Sequence, residues 1–181
     1  MNEKIEVLIS EEEIQKRVNE LANTIQADYA GEEITIICVL KGAVMFATDL
    51  LKKVNGNIKL EFIKASSYEE STKSSGESIL KYNTLDSAKD KNILIVEDII
   101  DTGITLSHLK EYYLSQSPKS FKICALLSKP ERREVDINVD YIGFSIPNEF
   151  AVGYGLDYAQ KYRNLPYVAI LKFDEKITIK E

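Results

Sequence analysis

The chain has no tryptophan, one histidine, two cysteines and four prolines among its 181 residues. A single histidine, His108, leaves no partner for a histidine metal site or a Ser-His-Asp triad, so zinc chemistry and triad hydrolysis are excluded. Cys38 in ITIICVL and Cys124 in FKICALL lie in apolar runs without metal-ligand spacing, and both read as inert core residues. No GxxxxGK[ST] and no GxGxxG occurs, which removes support for a nucleotide triphosphatase loop or a dinucleotide site. No apolar run reaches the roughly 18 residues of a membrane span. Basic charge is short as well: Lys and Arg total 23 against 29 Asp and Glu, a net charge of -6 with pI near 5.0. A sequence-independent nucleic-acid binder needs a basic face, so a regulator that binds RNA or DNA is disfavoured. The opening MNEKIEVLISEEE is acidic and lacks the form of a secretion signal, so a cytoplasmic protein is expected.

What is present is an alternation of strands and helices. Ser10 followed by Glu13 forms a capping box, and Ile14, Val18, Leu21 and Ile25 mark one face of a helix to about Tyr29. ITIICVL (34–40) and NILIV (92–96) are unalternated apolar runs, as in strands covered on both faces. KGAVMFATDLLKKV (41–54) reads as a helix, and so does Thr105 to about Ser115. Further strands are expected at 60–66, 78–83, 121–128, 139–144 and 167–173. The pattern predicts a single α/β domain over 1–181, with a mostly parallel sheet flanked by helices. Two stretches stand outside it. SSYEESTKSSGES (66–78) is polar and aperiodic, with the character of a lid that includes Ser67 and Tyr68. IPNEFAVGYGLDYAQKYRNLP (146–166) is aromatic-rich and irregular.

The chemistry concentrates in ILIVEDIIDTGIT (93–105), where four apolar residues run into Glu97, Asp98 and Asp101. Adjacent carboxylates repel and are costly to desolvate, so they are expected either to stay wet or to await a ligand carrying hydroxyls, protons or a metal. In open α/β sheets ligands bind beyond the carboxyl ends of the strands. The backbone N–H groups of Thr102 to Thr105 would converge there at a helix start, with Gly103 permitting the turn, as an anion cradle for one phosphate. Carboxylates beside a phosphate cradle suit a phosphorylated sugar.

VEDIIDTGIT resembles the phosphoribosyl pyrophosphate signature of type I phosphoribosyltransferases. LKGA (40–43), SSYEEST, LLSKPERR (126–133) and IPNEFAVGYGLDYAQKYRNLPY (146–167) resemble the hypoxanthine-guanine branch of that family, in the same order. The resemblance implies a small hood built from both terminal segments and a magnesium-dependent transfer in purine salvage. Phosphoribosyl pyrophosphate and a 6-oxopurine, hypoxanthine or guanine, would be the substrates; a xanthine preference is the alternative. Glu97 and Asp98 would contact the ribose hydroxyls, and Asp101 would be the general base near purine N7. Asp101, Thr102, Gly103, Ile104 and Thr105 would hold the 5′-phosphate. Lys41, Gly42 and Arg163 would hold pyrophosphate, with a cis peptide between Leu40 and Lys41. Lys129, Phe150, Ala151 and Asp157 would surround the purine, and Glu97, Asp98 and Asp157 would serve magnesium. Ile104 stands where some relatives carry lysine, and Ala43 where some carry a second glycine; both positions act through backbone. The family commonly forms homodimers or homotetramers.

Overall fold

The computed structural model describes residues 3–65 and 80–173. The expected lid residues Ser67 and Tyr68 lie outside the described residues. The chain begins with strand β1 (Glu3–Ile9) and helix α1 (Glu11–Tyr29), followed by β2 (Ile34–Val39), α2 (Val44–Lys53), β3 (Ile58–Ala65) and β4 (Leu80–Asn83). It continues with β5 (Asn92–Ile100), α3 (Ile104–Leu114), β6 (Ser120–Ser128), β7 (Tyr141–Ser145), β8 (Ala151–Val152) and β9 (Val168–Phe173). A 3₁₀ turn, Pro130–Arg132, follows β6.

Six strands form one sheet in the order β4-β3-β2-β5-β6-β7. The β2–β3, β2–β5, β5–β6 and β6–β7 pairs are parallel, and β4 is the antiparallel edge. From β2 the chain first builds outward through β3, then returns to place β5 on the other side. Strand order therefore reverses between β2 and β5, and the loops leaving these two strands part to open a crevice.

The apolar runs explain the layering. Successive strand residues face opposite ways, so Ile36 and Cys38 of β2 enter one core cluster and Ile37 and Val39 the other. The first cluster takes Ile14, Val18, Leu21 and Ile25 of α1 and Phe46 and Leu50 of α2. The second takes Leu106, Leu109 and Tyr113 of α3. Helix α1 starts where the capping box requires: Glu13 N–H donates to Ser10 Oγ (3.3 Å) and Ser10 N–H to Glu13 Oε2 (2.8 Å). Such a cap contributes about 1 kcal/mol. Cys38 and Cys124 are free thiols in the core, as expected, and His108 sits half-buried on α3.

Two local expectations need correction. Residues 41–43 are not helical: α2 begins at Val44, and Leu40–Ala43 form a turn with a cis Leu40–Lys41 peptide. Strand β5 does not stop at Val96. Its ladder with β6 runs on through Glu97↔Ala125 to Ile100↔Ser128, so the first two acids lie inside a strand. A second sheet, β1-β9-β8, joins the two ends of the described chain, the segments from which a hood was expected; all its pairs are antiparallel, and β1 pairs with β9 from Glu3↔Phe173 to Ile9↔Val168.

Candidate active site

At the carboxyl ends of β2 and β5 lies a cleft of about 390 Å³. Three segments line it: Lys41 and Gly42 after β2, Glu97 to Gly103 with Thr105 along and after β5, and Asp157 and Arg163 from the β8–β9 connection. Ten of the residues singled out from sequence therefore meet in one place: Lys41, Gly42, Glu97, Asp98, Asp101, Thr102, Gly103, Thr105, Asp157 and Arg163.

The acidic pair is not wet. Glu97 is only 8% exposed. Burial pushes its carboxyl well above the usual range, and the neighbouring Asp98 charge adds to the rise. Burial likewise raises Asp98, although hydrogen bonds and the Arg163 charge oppose it. The backbone supplies part of the solvation both lose: Asp98 N–H donates to Glu97 Oε1 (3.1 Å) and Ile99 N–H to Asp98 Oδ1 (2.7 Å). Both carboxyls thus occupy a site short of positive charge. Nearby, burial and the two acids push the Cys38 thiol up to about 12, which leaves it unreactive at neutral pH. Gly42 is required by space rather than by backbone angle: a Cβ there would lie 1.5 Å from Asp98 Oδ2.

The turn after β5 is shaped for an anion. Gly103 is the N-cap of α3 with φ 89°, and no side chain caps the helix. The first N–H groups of a helix lack intrahelical acceptors; Ile104 N–H makes a long bond to Thr102 Oγ1 (3.4 Å), and Gly103 and Thr105 bring the positive end of the helix dipole to the cleft. The turn is held from behind, where Thr102 O accepts from Glu134 N–H (3.0 Å) and Val135 N–H (3.1 Å). Ile104 points outward, 37% exposed, so its part in the cradle is its backbone. Asp101 pairs with Arg132 Nε at 2.9 Å, a contact open to solvent on both sides and therefore weak.

The third wall is an irregular arm between β8 and β9. Arg163 pairs with Asp157 at 2.6 Å and donates to Gly155 O at 2.6 Å. Lys41 Nζ donates to Gln160 Oε1 (3.3 Å), which links the arm to the β2 loop. Gly155, with φ 102°, touches that loop so closely that a Cβ would fall 1.9 Å from Gly42 O.

Lys129, Phe150 and Ala151 do not line the cleft itself. Lys129 is tied to the end of β5 by its N–H to Ile100 O (3.0 Å) and is only 9% exposed. Among the described residues no ion pair involves it. Phe150 is 48% exposed and meets Tyr158 edge-on at 5.7 Å, while Ala151 is buried in β8 opposite Ile170. Among the described residues no group of three or more His, Cys, Asp or Glu gathers as a metal cage. Arg132, Gly155 and Gln160 were given no role from sequence. Only Gly155 carried a signal, as the second glycine of an irregular aromatic stretch.

Comparison with known proteins agrees with this geometry. The family model for the phosphoribosyl transferase domain matches residues 8–159. The hypoxanthine-guanine phosphoribosyltransferase of Bacillus subtilis (strain 168) is 49% identical over 166 residues, 92% of either chain. The bifunctional protein TilS/HprT of Listeria monocytogenes is 48% identical over 92% of this chain, which spans only 26% of that longer protein. A crystal structure of a hypoxanthine-guanine phosphoribosyltransferase from Bacillus anthracis superimposes with a TM-score of 0.86 at 46% identity, covering 94% of this chain and all of the other. With a family model spanning most of its length and relatives this similar, this chain belongs to the phosphoribosyl transferase family, in its hypoxanthine-guanine branch.

Proposed function

We propose that the chain transfers the 5-phosphoribosyl group of phosphoribosyl pyrophosphate to hypoxanthine or guanine, a purine-salvage reaction yielding IMP or GMP and pyrophosphate. The observation that carries this reading is the cleft at the strand-order switch, where an anion turn, buried carboxylates and two cations meet. In the reaction the C1–O bond to pyrophosphate breaks as a C1–N9 bond forms, and the proton carried by N7 passes to Asp101. The α3 turn, Thr102 to Thr105, holds the 5′-phosphate and so fixes C1. Glu97 and Asp98 accept from the ribose hydroxyls, a role that suits carboxyls with unused lone pairs. Lys41, Gly42 and Arg163 take the leaving pyrophosphate and stabilise its developing charge.

The purine lies toward Lys129, Phe150, Ala151 and Asp157. A half-exposed phenylalanine offers a flat apolar face to a flat base, with stacking worth about 1–3 kcal/mol. Lys129 presents a largely buried ammonium to the 6-oxygen. Magnesium fits the donor set: it binds through one or two carboxylates plus substrate oxygens and waters rather than in a protein cage. Glu97 and Asp98 would hold it, with Asp157 lining the same cleft. The ion would supply charge neutralisation for the diphosphate. The small β1-β9-β8 sheet serves as the hood. We place the enzyme in the cytoplasm, where free thiols such as Cys38 and Cys124 stay reduced, as a homodimer or homotetramer.

The test is pyrophosphate release with hypoxanthine, guanine, xanthine and adenine in turn, with and without magnesium. Magnesium-dependent release with the first two supports the assignment. Release with xanthine alone moves the preference, and release with none of the four overturns the reaction.

A further inference from the structure

The arm carrying Asp157 and Arg163 is irregular, yet Gly155 and Arg163 are held to hydrogen-bond precision. The hold originates outside the cleft. Tyr154 is 5% exposed and sits at φ 48°, a left-handed conformation uncommon for a side chain of its size. Its hydroxyl donates to Asp49 Oδ2 on α2 at 2.8 Å. The same carboxylate accepts from Gln15 Nε2 of α1 (2.9 Å) and pairs with Lys52 (3.3 Å). Asp49 is thereby held below the usual carboxylate range by hydrogen bonds that outweigh its partial burial, and it meets Tyr154 as a charged acceptor. On the backbone side, Tyr154 N–H donates to Leu165 O (2.8 Å) and Gly155 N–H to Arg163 O (2.9 Å). The next peptide carries the Gly155 carbonyl that takes the Arg163 guanidinium, and Gly155 rests on the Gly42 carbonyl.

We infer that Asp49 and Tyr154 are positioning residues: their hydrogen bond clamps the arm to α2 and sets Arg163 and Gly42 at the spacing that grips pyrophosphate. The inference rests on the pyrophosphate role proposed above for those two residues. Neither Asp49 nor the Tyr154 hydroxyl has to touch the substrate. A hydrogen bond to a charged group is among the stronger neutral-to-ion contacts, and reacting groups tolerate little misplacement. A merely structural clamp would affect both substrates and stability alike. This one lies on the pyrophosphate side, so its loss should be felt there selectively.

Tyr154→Phe keeps the ring and removes the hydroxyl, while Gln15 and Lys52 continue to satisfy Asp49. The expected result is a rise of about tenfold in KM for phosphoribosyl pyrophosphate and in the Kd for pyrophosphate, the size of a lost charged hydrogen bond. KM for hypoxanthine should stay close to wild type, while the melting temperature should fall by a few degrees, the cost of the lost bond itself. Asp49→Ala should give the same selective loss, and the double variant should be no worse than either single one. Asp49→Asn, which retains an acceptor oxygen for Tyr154, should recover most of the affinity. Wild-type KM and Kd in Tyr154→Phe, equal losses for both substrates, or additive effects of the two substitutions would each overturn the inference. An inactive wild type would instead overturn the proposed reaction, and that arm of the experiment is read first.

Discussion

Replacing Gly42 by alanine adds one methyl group at the tightest approach in the site. Its backbone angles suit any residue, so conformational strain plays no part. The added carbon would lie 1.5 Å from Asp98 Oδ2 and 2.6 Å from Asp98 Cγ. Ordinary contact begins near 3.5 Å, so the loop or the carboxylate must move by about 1–2 Å. Asp98 is a short side chain anchored through its other oxygen, Oδ1, by Ile99 N–H at 2.7 Å, and the Gly42 carbonyl is already in close contact with Gly155. Neither side yields cheaply. Overpacking of this kind costs about 1–3 kcal/mol of stability, and a displacement of about 1 Å at reacting groups costs on the order of 10² in rate. Gly42→Ala should therefore lower kcat/KM for phosphoribosyl pyrophosphate by about 10² while the melting temperature falls by only a few degrees. Pyrophosphate release and thermal unfolding measure the two quantities on one preparation. Gly42→Ala combined with Asp98→Ala removes the obstructing atoms and should regain the stability without regaining activity. A single variant with wild-type kcat/KM would refute the steric argument and the role given to this loop.

Three further outcomes are expected. Asp101→Asn should lower turnover by about 10²–10⁴ with little change in phosphoribosyl pyrophosphate affinity, and near-wild-type turnover would reduce Asp101 to a surface partner of Arg132. Because Glu97 is raised in the folded state, the folded chain binds more protons than the unfolded one above the unfolded pKa, so this contribution to stability is full below that pKa and is lost as pH rises through the folded value. The melting temperature of the magnesium-free protein should thus decline as pH rises above the ordinary carboxylate range, with Asp98 acting in the same direction, and Glu97→Gln should make the decline shallower; an equally steep variant refutes the assignment. Lys129 has donors only, so adenine, which places an amino group where hypoxanthine has oxygen, should be rejected by roughly 10⁴–10⁵ in specificity constant, and Lys129→Gln should narrow that ratio by losing the oxopurine reaction; comparable use of adenine by the wild type would sink this role.

The parallel core was legible because burial on both faces leaves unbroken runs, as in ITIICV and NILIV, and because the Ser10–Glu13 cap is written in contiguous residues. The anion turn was legible for the same reason: Gly103 and the first N–H groups of α3 are local features. Elements whose reason is distant were not. The first strand reads as scattered charge until Glu6 finds Lys172 across the small sheet. The two residues of β8 exist only through Ala151↔Ile170 and Val152↔Ala169. The contact of Gly155 with Gly42 joins segments that no short-range pattern connects, and the end of β5 was misjudged because charge was taken as a boundary. A ladder does not depend on side-chain polarity: Glu97 pairs with Ala125 through backbone, whatever its carboxyl meets beyond.

That misjudged boundary explains how a buried strand can carry acid within the last rungs of its ladder. The core beneath Glu97 and Asp98 is continuous on both faces, from Leu94 and Val96 on one side to Ile93 and Ile95 on the other. Such a strand has stability enough to carry two unfavourable carboxyls near its carboxyl end, provided they open onto a crevice rather than a packed layer. The strand-order switch supplies that crevice, and it leaves the acids facing Lys41 and Arg163 across it with Gly103 at the floor. Arg163 only partly offsets Asp98, and it is itself bound to Asp157. The buried acids and the start of α3 thus present opposite signs within one cleft. Under the reaction proposed above, a sugar diphosphate carried with magnesium would bring positive charge to the acids and an anion to the helix start together, so binding would relieve both at once.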